Sequence, residues 1–368
     1  MINLAKYDYY LLHDIDLPIV YFCSRYYDFE VNPRLRYKHV FSYNKMRYNW
    51  QKAASYCCSW LVILYYVILW RPKVVHIQWF RIPRFDLAVV RILQRVFGVK
   101  VVFTAHNVLP HQGNESKCEV IFRKAYRVFD RIIVHSQATK KEIMELSQVQ
   151  AERVVVIRHG ILPLQVSNDR YEACKEVYDH KYAALEGKTV FTTLGYQNTY
   201  KGTDLLARVW ANTPQLWNSG DCMLLIIGKV NDTSIDLTVL EGIANVILDN
   251  RRIPDEEFLY LLRHTDVYLL PYREISQSGA MLTVLTEHVP LLLADVGALA
   301  EPLDIAPIGW KIPRADEQDL QEALLYLVSH KKEVEAVRNN RQAWEKVCKF
   351  YDWKEIGQQT WRLYENLL

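Results

Sequence analysis

Short apolar runs, rich in Val and Ile in the first half of the chain, alternate with amphipathic stretches, and this alternation constrains the fold more than any other feature of the chain. The runs occupy residues 73–79, 100–106, 131–136, 153–160, 188–195, 222–228, 245–249, 266–271 and 290–295. Residues 86–98 and 117–130, which lie between runs, have the apolar spacing of helices. Strands this apolar are buried on both faces, so the pattern predicts an α/β protein whose parallel sheets are covered by helices.

The strand pattern occurs twice, in a chain of 368 residues that is about twice the length of a typical domain. A polar segment that opens near Pro163, residues 162–187, is predicted to link the two halves. We therefore expect two doubly wound, Rossmann-like domains, residues 1–163 and 164–348, facing each other across a cleft. Ligands of such folds lie at the carboxyl ends of the strands.

The charge is unevenly distributed. Residues 1–165 hold 24 Lys and Arg against 12 Asp and Glu, a net +12, whereas residues 166–368 hold 21 against 30, a net −9. A basic first half indicates an anionic partner: a membrane surface, a pyrophosphate-linked acceptor or nucleic acid. Nucleic acid is not expected, because the cations are spread over several elements. An asymmetry of solvated faces without function is the alternative.

The seven Cys are scattered, and no pair has metal-site spacing, which indicates reduced thiols in a cytosolic protein. The N-terminal residues show no basic segment followed by an apolar one, so no signal peptide is expected. We expect a cytoplasmic protein that can associate with the inner face of the membrane through its basic first domain.

Residues 53–70 contain no charged side chain over 18 positions, which is enough for a marginal membrane span. A helix buried in the first domain, or lying at its edge, is favoured, because a span would separate the first sheet from the chain that precedes it. A partly exposed aromatic face of this helix could rest on a bilayer interface.

The stretch "PYREISQSGA", residues 271–280, places a polar turn between a strand and a helix. The first N–H groups of a helix have no internal partner and favour an anion. Gly279 would let a phosphate approach the backbone closely. The alternative is that Ser276 or Ser278 simply caps the helix.

A second strand–turn–helix, "LGYQNTYKGTDLL", holds Gly195, Lys201 and Gly202 at its turn. A Lys at a helix N-terminus is unfavourable for the helix unless an anion is bound there, and an exposed loop Lys is the alternative. Gly228 ends a third strand. Three such turns at one edge of a sheet could hold a diphosphate.

In this order the motifs resemble GT-B glycosyltransferases of family 4, of the capsule and exopolysaccharide type. That family has a Gly turn followed by Lys-Gly, a Gly after a central strand, and a turn that precedes a helix. In this chain the stretch "HVPLLLAD" follows that helix. The first half, with "VVHIQW", "VVFTAHNVLPH", "RIIVHSQATKKEI" and "VVVIRHGI", resembles the acceptor domain. The ending "FYDWKEIGQQTWRLYENLL" resembles the last helix of the fold, which implies that residues 349–368 cross back to the first domain.

The resemblance also implies residue roles. Lys201 would contact the donor diphosphate and His106 the donor sugar near the reaction centre; Glu274 is a third candidate catalytic residue. The implied donor site comprises Gly195, Tyr196, Lys201, Gly202, Gly228, Asn250, Arg251, Ser276, Gln277, Ser278, Gly279 and Thr283. Asn107 and His111, on the turn of His106, would contact the acceptor.

The chain departs from the family at three positions. The family often has two Glu with seven residues between them, and counting back from Pro290 places these at Ile275, beside Glu274, and at Thr283. Many relatives have Arg where this chain has Tyr196. The diphosphate would therefore depend more on Lys201 and on backbone dipoles.

These features predict a glycosyltransferase of the hexosyltransferase type, with a nucleotide diphosphate sugar as donor substrate and no cofactor. No metal is expected, because the chain lacks an Asp-x-Asp pair of the kind that holds one. The acceptor would be a saccharide or a lipid-pyrophosphate-linked saccharide in surface polysaccharide synthesis. An inverting reaction would need Asp86, His106 or His111 as base, whereas a retaining one would use the leaving phosphate. The alternatives are a nucleotide-sugar epimerase of the same fold and a catalytically silent nucleotide-sugar-binding scaffold.

Overall fold

A computed structural model describes residues 2–13, 18–25, 35–43, 46–109, 115–218, 220–275 and 277–368. The chain divides into two compact units, residues 1–160 with 352–368 and residues 161–351. The boundaries predicted after residues 163 and 348 each lie three residues from the observed ones. The chain's last residues, 352–368, are grouped with the first unit.

The first unit holds two parallel sheets. One pairs β1 (Val20–Ser24) with β2 (Arg36–Phe41), and the other runs in chain order through β3 (Val74–Ile77), β4 (Lys100–Thr104), β5 (Arg131–Val134) and β6 (Val154–Val156). The helices of this part are α1 (Ile2–His13), α2 (Asn49–Trp70), α3 (Pro83–Arg95), α4 (Glu115–Tyr126) and α5 (Gln137–Ser147).

Helix α3 illustrates how this unit is assembled from its sequence. Pro83 stands at the start of the helix, where its missing N–H is harmless. Asp86 accepts a hydrogen bond from the Ile82 N–H at 2.7 Å, which satisfies one of the free donors of the first turn. Leu87, Val90 and Leu93 recur at helical spacing and are buried in the core, and each such side chain contributes about 2 kcal/mol to burial.

The second unit holds one six-stranded parallel sheet, in the order β12-β11-β10-β7-β8-β9. Its strands are β7 (Thr189–Leu194), β8 (Cys222–Ile227), β9 (Val246–Asp249), β10 (Val267–Leu270), β11 (Leu291–Ala294) and β12 (Gly309–Ile312). Its helices are α6 (Asn168–Lys181), α7 (Thr203–Ala211), α8 (Pro214–Asn218), α9 (Asp255–Arg263), α10 (Gly279–Val284), α11 (Glu301–Ile305), α12 (Glu317–Ser329), α13 (Lys331–Arg338) and α14 (Arg341–Phe350).

The four central strands of this sheet, β7, β8, β10 and β11, are buried at every position. Continuous burial explains why the sequences of β8, β10 and β11 are apolar without alternation, and why the polar residues of β7 are threonines, which suit a strand. The strand order reverses between β7 and β10, because β8 and β9 extend the sheet on one side and β11 and β12 on the other. Such a reversal is where open α/β sheets bind ligands at the carboxyl ends of their strands.

Each of the nine apolar runs contains a strand, so the α/β prediction is confirmed, and β1 and β2 form a third, two-stranded sheet in addition to the two larger ones. The predicted linker, residues 162–187, is wrong, because it contains α6 and a short 3-10 turn, Ala183–Leu185. Tyr171 is the buried residue of α6, and a helix with so small an apolar face looks like a linker in sequence.

The final helix, α15 (Trp353–Glu365), packs against α1 within the first unit. The ring centroids of Tyr7 and Trp353 lie 5.2 Å apart, and Tyr10 stacks on Trp353 at 5.8 Å. A side chain at Gly160 would collide with the Trp353 ring. The N-terminal and C-terminal helices therefore complete the first unit together.

Candidate active site

In the second unit, the turns after β7, β8 and β10 come together at the carboxyl edge of the sheet. Gly202 has φ +72°, and a Cβ there would collide with the carbonyl oxygen of Pro271. Gly228 has φ +146°, and a Cβ there would collide with the carbonyl oxygen of Gly195. Only glycine permits both the left-handed backbone and these approaches, so these residues allow the three turns to touch.

Gln197 fastens the β7 turn to the β8 turn. Its N–H donates to the Lys229 carbonyl at 2.9 Å, and its own carbonyl accepts from the Asn231 N–H at 3.1 Å. Its side-chain oxygen accepts from the Thr203 hydroxyl at 2.7 Å. Gln197 is fully buried, so these bonds fix the start of α7 relative to both turns.

An ion pair fastens the β10 turn to the β7 turn. The Arg273 guanidinium donates through Nη1 to Asp204 Oδ1 and through Nη2 to Asp204 Oδ2, both at 2.7 Å. The Arg273 N–H also donates to the Tyr200 carbonyl at 2.8 Å. Hydrogen bonds from Arg273 hold the pKa of Asp204 at about 2. A bidentate fork of this kind fixes geometry as well as charge, so it positions the turn that carries Lys201.

Lys201 ends the short 3-10 turn Thr199–Lys201, and its side chain is half-buried. Its ammonium lies 5.9 Å from the centre of the Tyr272 ring. Within the described part of the chain, no carboxylate lies within 4.0 Å of it. Burial lowers the pKa of Lys201 to about 8. A desolvated cation without a counter-ion is costly, and a bound anion would stabilise it.

Ser278 caps α10, and its hydroxyl accepts from the Met281 N–H at 3.2 Å. The helix begins at Gly279, where the sequence placed it, but has only six residues before a 3-10 turn, Leu285–Glu287. The Thr283 hydroxyl is used internally, since it donates to the Gly279 carbonyl at 3.1 Å. Gln277 precedes the cap, and Ser276 lies outside the described residues.

A row of four histidines lies at the carboxyl edge of the four-stranded sheet in the first unit. His76 is on β3, and His106, His135 and His159 follow β4, β5 and β6 in turn. Ring centroids of His106 and His135 are 5.1 Å apart, and those of His135 and His159 are 5.4 Å apart. Burial lowers the pKa of His76 and of His159 to about 3 and that of His135 to about 4.

Hydrogen bonds fix the tautomer of His106. His135 Nδ1 lies 2.9 Å from the Ile157 carbonyl, which can only accept, so Nδ1 carries the proton. Burial, and then the neighbouring histidines, hold the pKa of His106 well below its usual value, so both rings are neutral. His135 Nε2 therefore accepts from His106 Nδ1 at 3.2 Å. His106 Nε2 is left with a lone pair.

The lone pair of His106 points to the side-chain amide of Gln78. The distance from His106 Nε2 to the Gln78 amide oxygen position is 3.0 Å, and the proton order requires the amide to present its NH2 group there. The Tyr7 ring packs edge-on against His106 at 4.9 Å. A small pocket beside His106 is lined by Trp79, Phe80, Phe103, Thr104, Asn107 and Phe122.

Models of known families match both halves of the chain. Residues 17–163 match Glycosyltransferase Family 4, and residues 188–330 match Glycosyl transferases group 1. The chain belongs to the family 4-like GT-B glycosyltransferases. No curated protein sequence matches this glycosyltransferase significantly.

Solved structures of similar fold extend over most of this glycosyltransferase. Sucrose-phosphate synthase from Thermosynechococcus elongatus has a TM-score of 0.68 at 16% identity, over 92% of this chain and 85% of that one. WaaG, a glycosyltransferase involved in lipopolysaccharide biosynthesis, has a TM-score of 0.63 at 15% identity, over 97% and 93%. Anabaena HepE in complex with UDP-glucose has a TM-score of 0.60 at 14% identity, over 80% and 79%. At these identities the likeness establishes the GT-B fold.

The remaining site residues predicted from the sequence of this glycosyltransferase have the following positions in the structure. Asn250 accepts from the Val230 N–H at 2.9 Å and so supports the β8 turn. Arg251 donates to Asp249 at 2.8 Å and to Glu257 at 2.6 Å, in a network that also includes Lys181. Tyr196 and Glu274 are exposed. Asn107 lies beside His106, and His111 is outside the described residues.

Asp86, one of the three sequence candidates for a base, is fully buried in the first unit. Its carboxylate accepts from the Tyr56 hydroxyl and the Ile82 N–H, each at 2.7 Å. These bonds serve the start of α3, so Asp86 cannot reach a substrate. Among the described residues, no group of three or more His, Cys, Asp or Glu is arranged to hold a metal ion.

Sequence reasoning singled out His106 and missed the other three histidines of the row. The signal was present, because a His lies near the end of each of the four apolar runs, in "VVHI", "VVFTAH", "RIIVHS" and "VVVIRH". Parallel strands in sequential order bring such residues to one edge. The Arg273–Asp204 pair was also missed, and its members are 69 positions apart in the chain.

Proposed function

We propose that this glycosyltransferase moves a hexosyl group from a nucleotide diphosphate sugar to a hydroxyl of a saccharide or lipid-pyrophosphate-linked saccharide, without a metal ion. The observation that carries the proposal is the half-buried Lys201 ammonium, which has no carboxylate partner among the described residues. It lies at the strand-order reversal of the sheet, where the turns after β7, β8 and β10 approach one another. A diphosphate supplies the missing negative charge.

The chemistry requires that the bond between the anomeric carbon and the diphosphate oxygen break, while an acceptor hydroxyl forms a new bond to that carbon. Negative charge develops on the departing phosphate oxygens. Lys201 stabilises that charge more in the transition state than in the ground state, because its site is desolvated and held in place beforehand. Loss of the ammonium should raise the barrier by about 2–4 kcal/mol, as for loss of an oxyanion donor.

His106 is assigned to the acceptor side of the chemistry. Its ring is neutral, and its Nε2 lone pair accepts from the Gln78 amide, so a substrate hydroxyl reaches this lone pair by displacing that amide. The pocket beside it contains the partly exposed Trp79 ring, a flat apolar surface of the kind on which sugar rings pack. With Asp86 buried, His106 is the base candidate that the described residues retain for an inverting reaction.

The similar structures support the choice of first substrates. HepE is described in complex with UDP-glucose, and also with UDP and glucose. A trehalose-phosphate synthase from Burkholderia xenovorans is described with glucose-6-phosphate. UDP-hexoses are therefore the first donors to test, followed by guanosine and thymidine diphosphate sugars. WaaG acts in lipopolysaccharide biosynthesis, which favours a surface polysaccharide acceptor.

The test is release of nucleoside diphosphate from each sugar, with and without saccharide acceptors, in the presence of EDTA. We expect acceptor-dependent release with one base, and a fall of roughly 30- to 1,000-fold in kcat for Lys201→Ala. Lys229→Ala is the matched control, because Lys229 is exposed on the neighbouring turn and should be near wild type. Equal turnover of Lys201→Ala and wild type would remove the assignment.

Two alternatives have distinct outcomes in the same assay. An epimerase would convert the donor sugar with no acceptor present. A silent scaffold would bind the nucleotide sugar, seen as a rise in melting temperature, without turnover of any donor. Proton NMR of the product's anomeric linkage separates inversion from retention.

A further inference from the structure

Helix α2 carries an apolar face that the first unit does not cover. The helix has 22 residues and is long and apolar enough to cross a membrane, yet only 28% of its most apolar window is buried. A core helix of comparable composition would be mostly buried. The outward residues, spaced three and four apart, are Trp50, Ala54, Cys58, Leu61, Val62, Tyr65, Ile68 and Leu69. We call these eight residues the α2 stripe.

The opposite face of α2 belongs to the first unit. Tyr56, Trp60 and Ile63 are buried in its core. The Tyr56 hydroxyl donates to the buried carboxylate of Asp86 at 2.7 Å. A helix that left the unit to span a bilayer would break this bond and expose the core beneath it, so α2 is fixed with its stripe outward.

Large members of the stripe are strongly exposed, with 67% of Leu61, 61% of Tyr65 and 59% of Ile68 accessible to solvent. The helix is about 33 Å long at 1.5 Å per residue, so the stripe is a continuous apolar line. Soluble proteins rarely leave contiguous apolar patches of this kind uncovered, and such patches mark interaction surfaces.

The charges around the stripe identify its partner. Residues 31–85 contain ten Lys and Arg and no Asp or Glu. Arg71 and Lys73 follow the stripe directly, and Arg47 precedes it; all three are exposed. Among the described residues, none of the three is within 4.0 Å of a carboxylate. Unpaired cations at both ends of an apolar helix face complement an anionic lipid surface.

Aromatic residues are placed where a bilayer interface favours them. Trp50 and Trp70 lie near the two ends of α2, and Trp and Tyr prefer the headgroup level. The Lys38 ammonium, from the neighbouring β2, lies 5.1 Å from the Tyr66 ring centre and 5.9 Å from that of Trp70. This keeps a further cation at the edge of the helix, at the level expected for lipid phosphates.

We infer that the α2 stripe lies flat on an anionic lipid bilayer, with its apolar side chains in the acyl boundary and the flanking cations at the phosphates. An isolated interfacial helix needs a polar face of its own. The opposite face of α2 packs on the first unit instead, and that unit provides the polar surface. The inference is independent of the transfer chemistry. For an enzyme with a lipid-linked acceptor, it would hold the first unit at the surface where the acceptor resides.

The test is flotation of the purified full chain with vesicles of phosphatidylglycerol and phosphatidylethanolamine, compared with vesicles of phosphatidylcholine alone. Wild type should float with the anionic vesicles only. Leu61→Glu/Ile68→Glu should reduce the bound fraction at least tenfold. Val177→Glu is the control, because Val177 on α6 is equally exposed at 64% but lies in the other unit, and it should bind as wild type.

The contribution of the flanking cations to membrane binding is tested with a second pair of matched variants. Arg71→Gln/Lys73→Gln should weaken partitioning roughly 25-fold, at about fivefold for each cation near the surface. Lys346→Gln/Lys349→Gln removes the same charge from exposed positions of α14 and should change little. Thermal melts and nucleotide binding of every variant establish that the fold is intact.

Three results would overturn the inference. One is that wild type fails to bind anionic vesicles. Another is a dimer in light scattering that Leu61→Glu/Ile68→Glu dissolves, which would assign the stripe to a second copy of this chain. The third is membrane-bound protein that alkaline carbonate does not release but detergent does, which would make α2 a span.

Discussion

The Nδ1 atom of His106 lies 3.2 Å from the Nε2 atom of His135, and this one hydrogen bond decides which nitrogen of the His106 ring carries the lone pair. The Ile157 carbonyl sets the proton on His135, and His135 in turn sets the proton on His106. The candidate catalytic group is thus oriented through a second histidine, not by a carboxylate.

We predict that His135→Phe lowers kcat by roughly thirtyfold, because the buried Nδ1–H of His106 loses its acceptor at a cost of about 2 kcal/mol. The KM for the donor should change much less, since the donor diphosphate is assigned to Lys201. His135→Gln, which keeps an acceptor, should recover part of the rate. Steady-state kinetics and the nitrogen NMR shifts of the His106 ring provide the readouts.

His159→Gln is the control for this pair. His159 lies beside His135 in the same row, but its Nδ1 bonds to the Gly160 carbonyl at 2.8 Å and not to His106. If both variants lost rate equally, with no change in the His106 ring shifts, the row would be acting by packing alone.

A second prediction compares two glycines with the same backbone angle. Gly202 and Gly187 both have φ +72°, but a Cβ at Gly187 meets nothing within 4 Å, whereas at Gly202 it meets the Pro271 carbonyl. Gly187→Ala should cost about 1 kcal/mol from the left-handed backbone alone. Gly202→Ala should cost about 3 kcal/mol or more, since overpacking adds to it, and should abolish nucleotide binding. Urea melts and calorimetric titration measure both; similar costs would mean the turn relaxes freely.

A third prediction concerns the Arg273–Asp204 fork. Arg273→Lys cannot form the bidentate pair, so the Lys201 turn should loosen and donor affinity should fall about tenfold. Arg263→Lys breaks a pair of similar exposure with Glu287 on the same unit and should leave donor affinity unchanged. Equal effects of the two substitutions on the dissociation constant would argue against a positioning role.

A fourth prediction follows from the pKa of Lys201, which burial lowers to about 8. The anion needs the protonated amine, which is present below pH 8 and lost above it. Affinity for a nucleotide sugar should therefore be flat from pH 7 to 8 and then fall, by at most about tenfold per pH unit. Lys201→Arg stays charged and should flatten the profile. A wild-type profile without this fall would place the diphosphate elsewhere.

A fifth prediction concerns acid. His76, His135 and His159 have folded pKa values of about 3, 4 and 3, below the unfolded value, because burial opposes their charge. Above the unfolded pKa of about 6.5, these histidines are unprotonated in both the folded and the unfolded state. Below it, only the unfolded state binds protons, so the free energy of unfolding decreases as the pH is lowered. Each His contributes a slope of about 1.4 kcal/mol per pH unit down to its folded pKa.

The measurement for this prediction is the free energy of unfolding from urea melts between pH 7 and 5. His159→Gln should remove one histidine's slope, while His180→Gln, at an exposed position of α6, should not. An unchanged slope in His159→Gln would show that this ring protonates in the folded state.

Much of the fold follows from the sequence because buried parallel strands have an unmistakable composition. The runs around β8, β10 and β11 are apolar at consecutive positions, which few other structures require, whereas β7 includes three buried threonines. Elements with a mixed environment were harder to predict. The strand β12 lies at the sheet edge and buries one of its four residues, Ile312, so its sequence lacks the pattern.

The candidate site was predictable where local sequence determines local geometry. Gly202 beside Lys201, and Ser278 before Gly279, are turn signals that can be read in order along the chain. What the sequence could not provide are contacts made by strand alignment, since His106 and His135 are 29 positions apart and acquire their relation only when β4 and β5 pair.

The packing of α15 on α1 has a consequence for synthesis. Residues 352–368 follow the whole second unit in the chain, yet Trp353 fills the space beside Tyr7 and Gly160. During translation the first unit therefore cannot be completed until the whole of the second unit has been synthesised. A nascent chain truncated before α15 would leave Tyr7 and the neighbouring histidines exposed to solvent, where quality-control chaperones and proteases could recognise them.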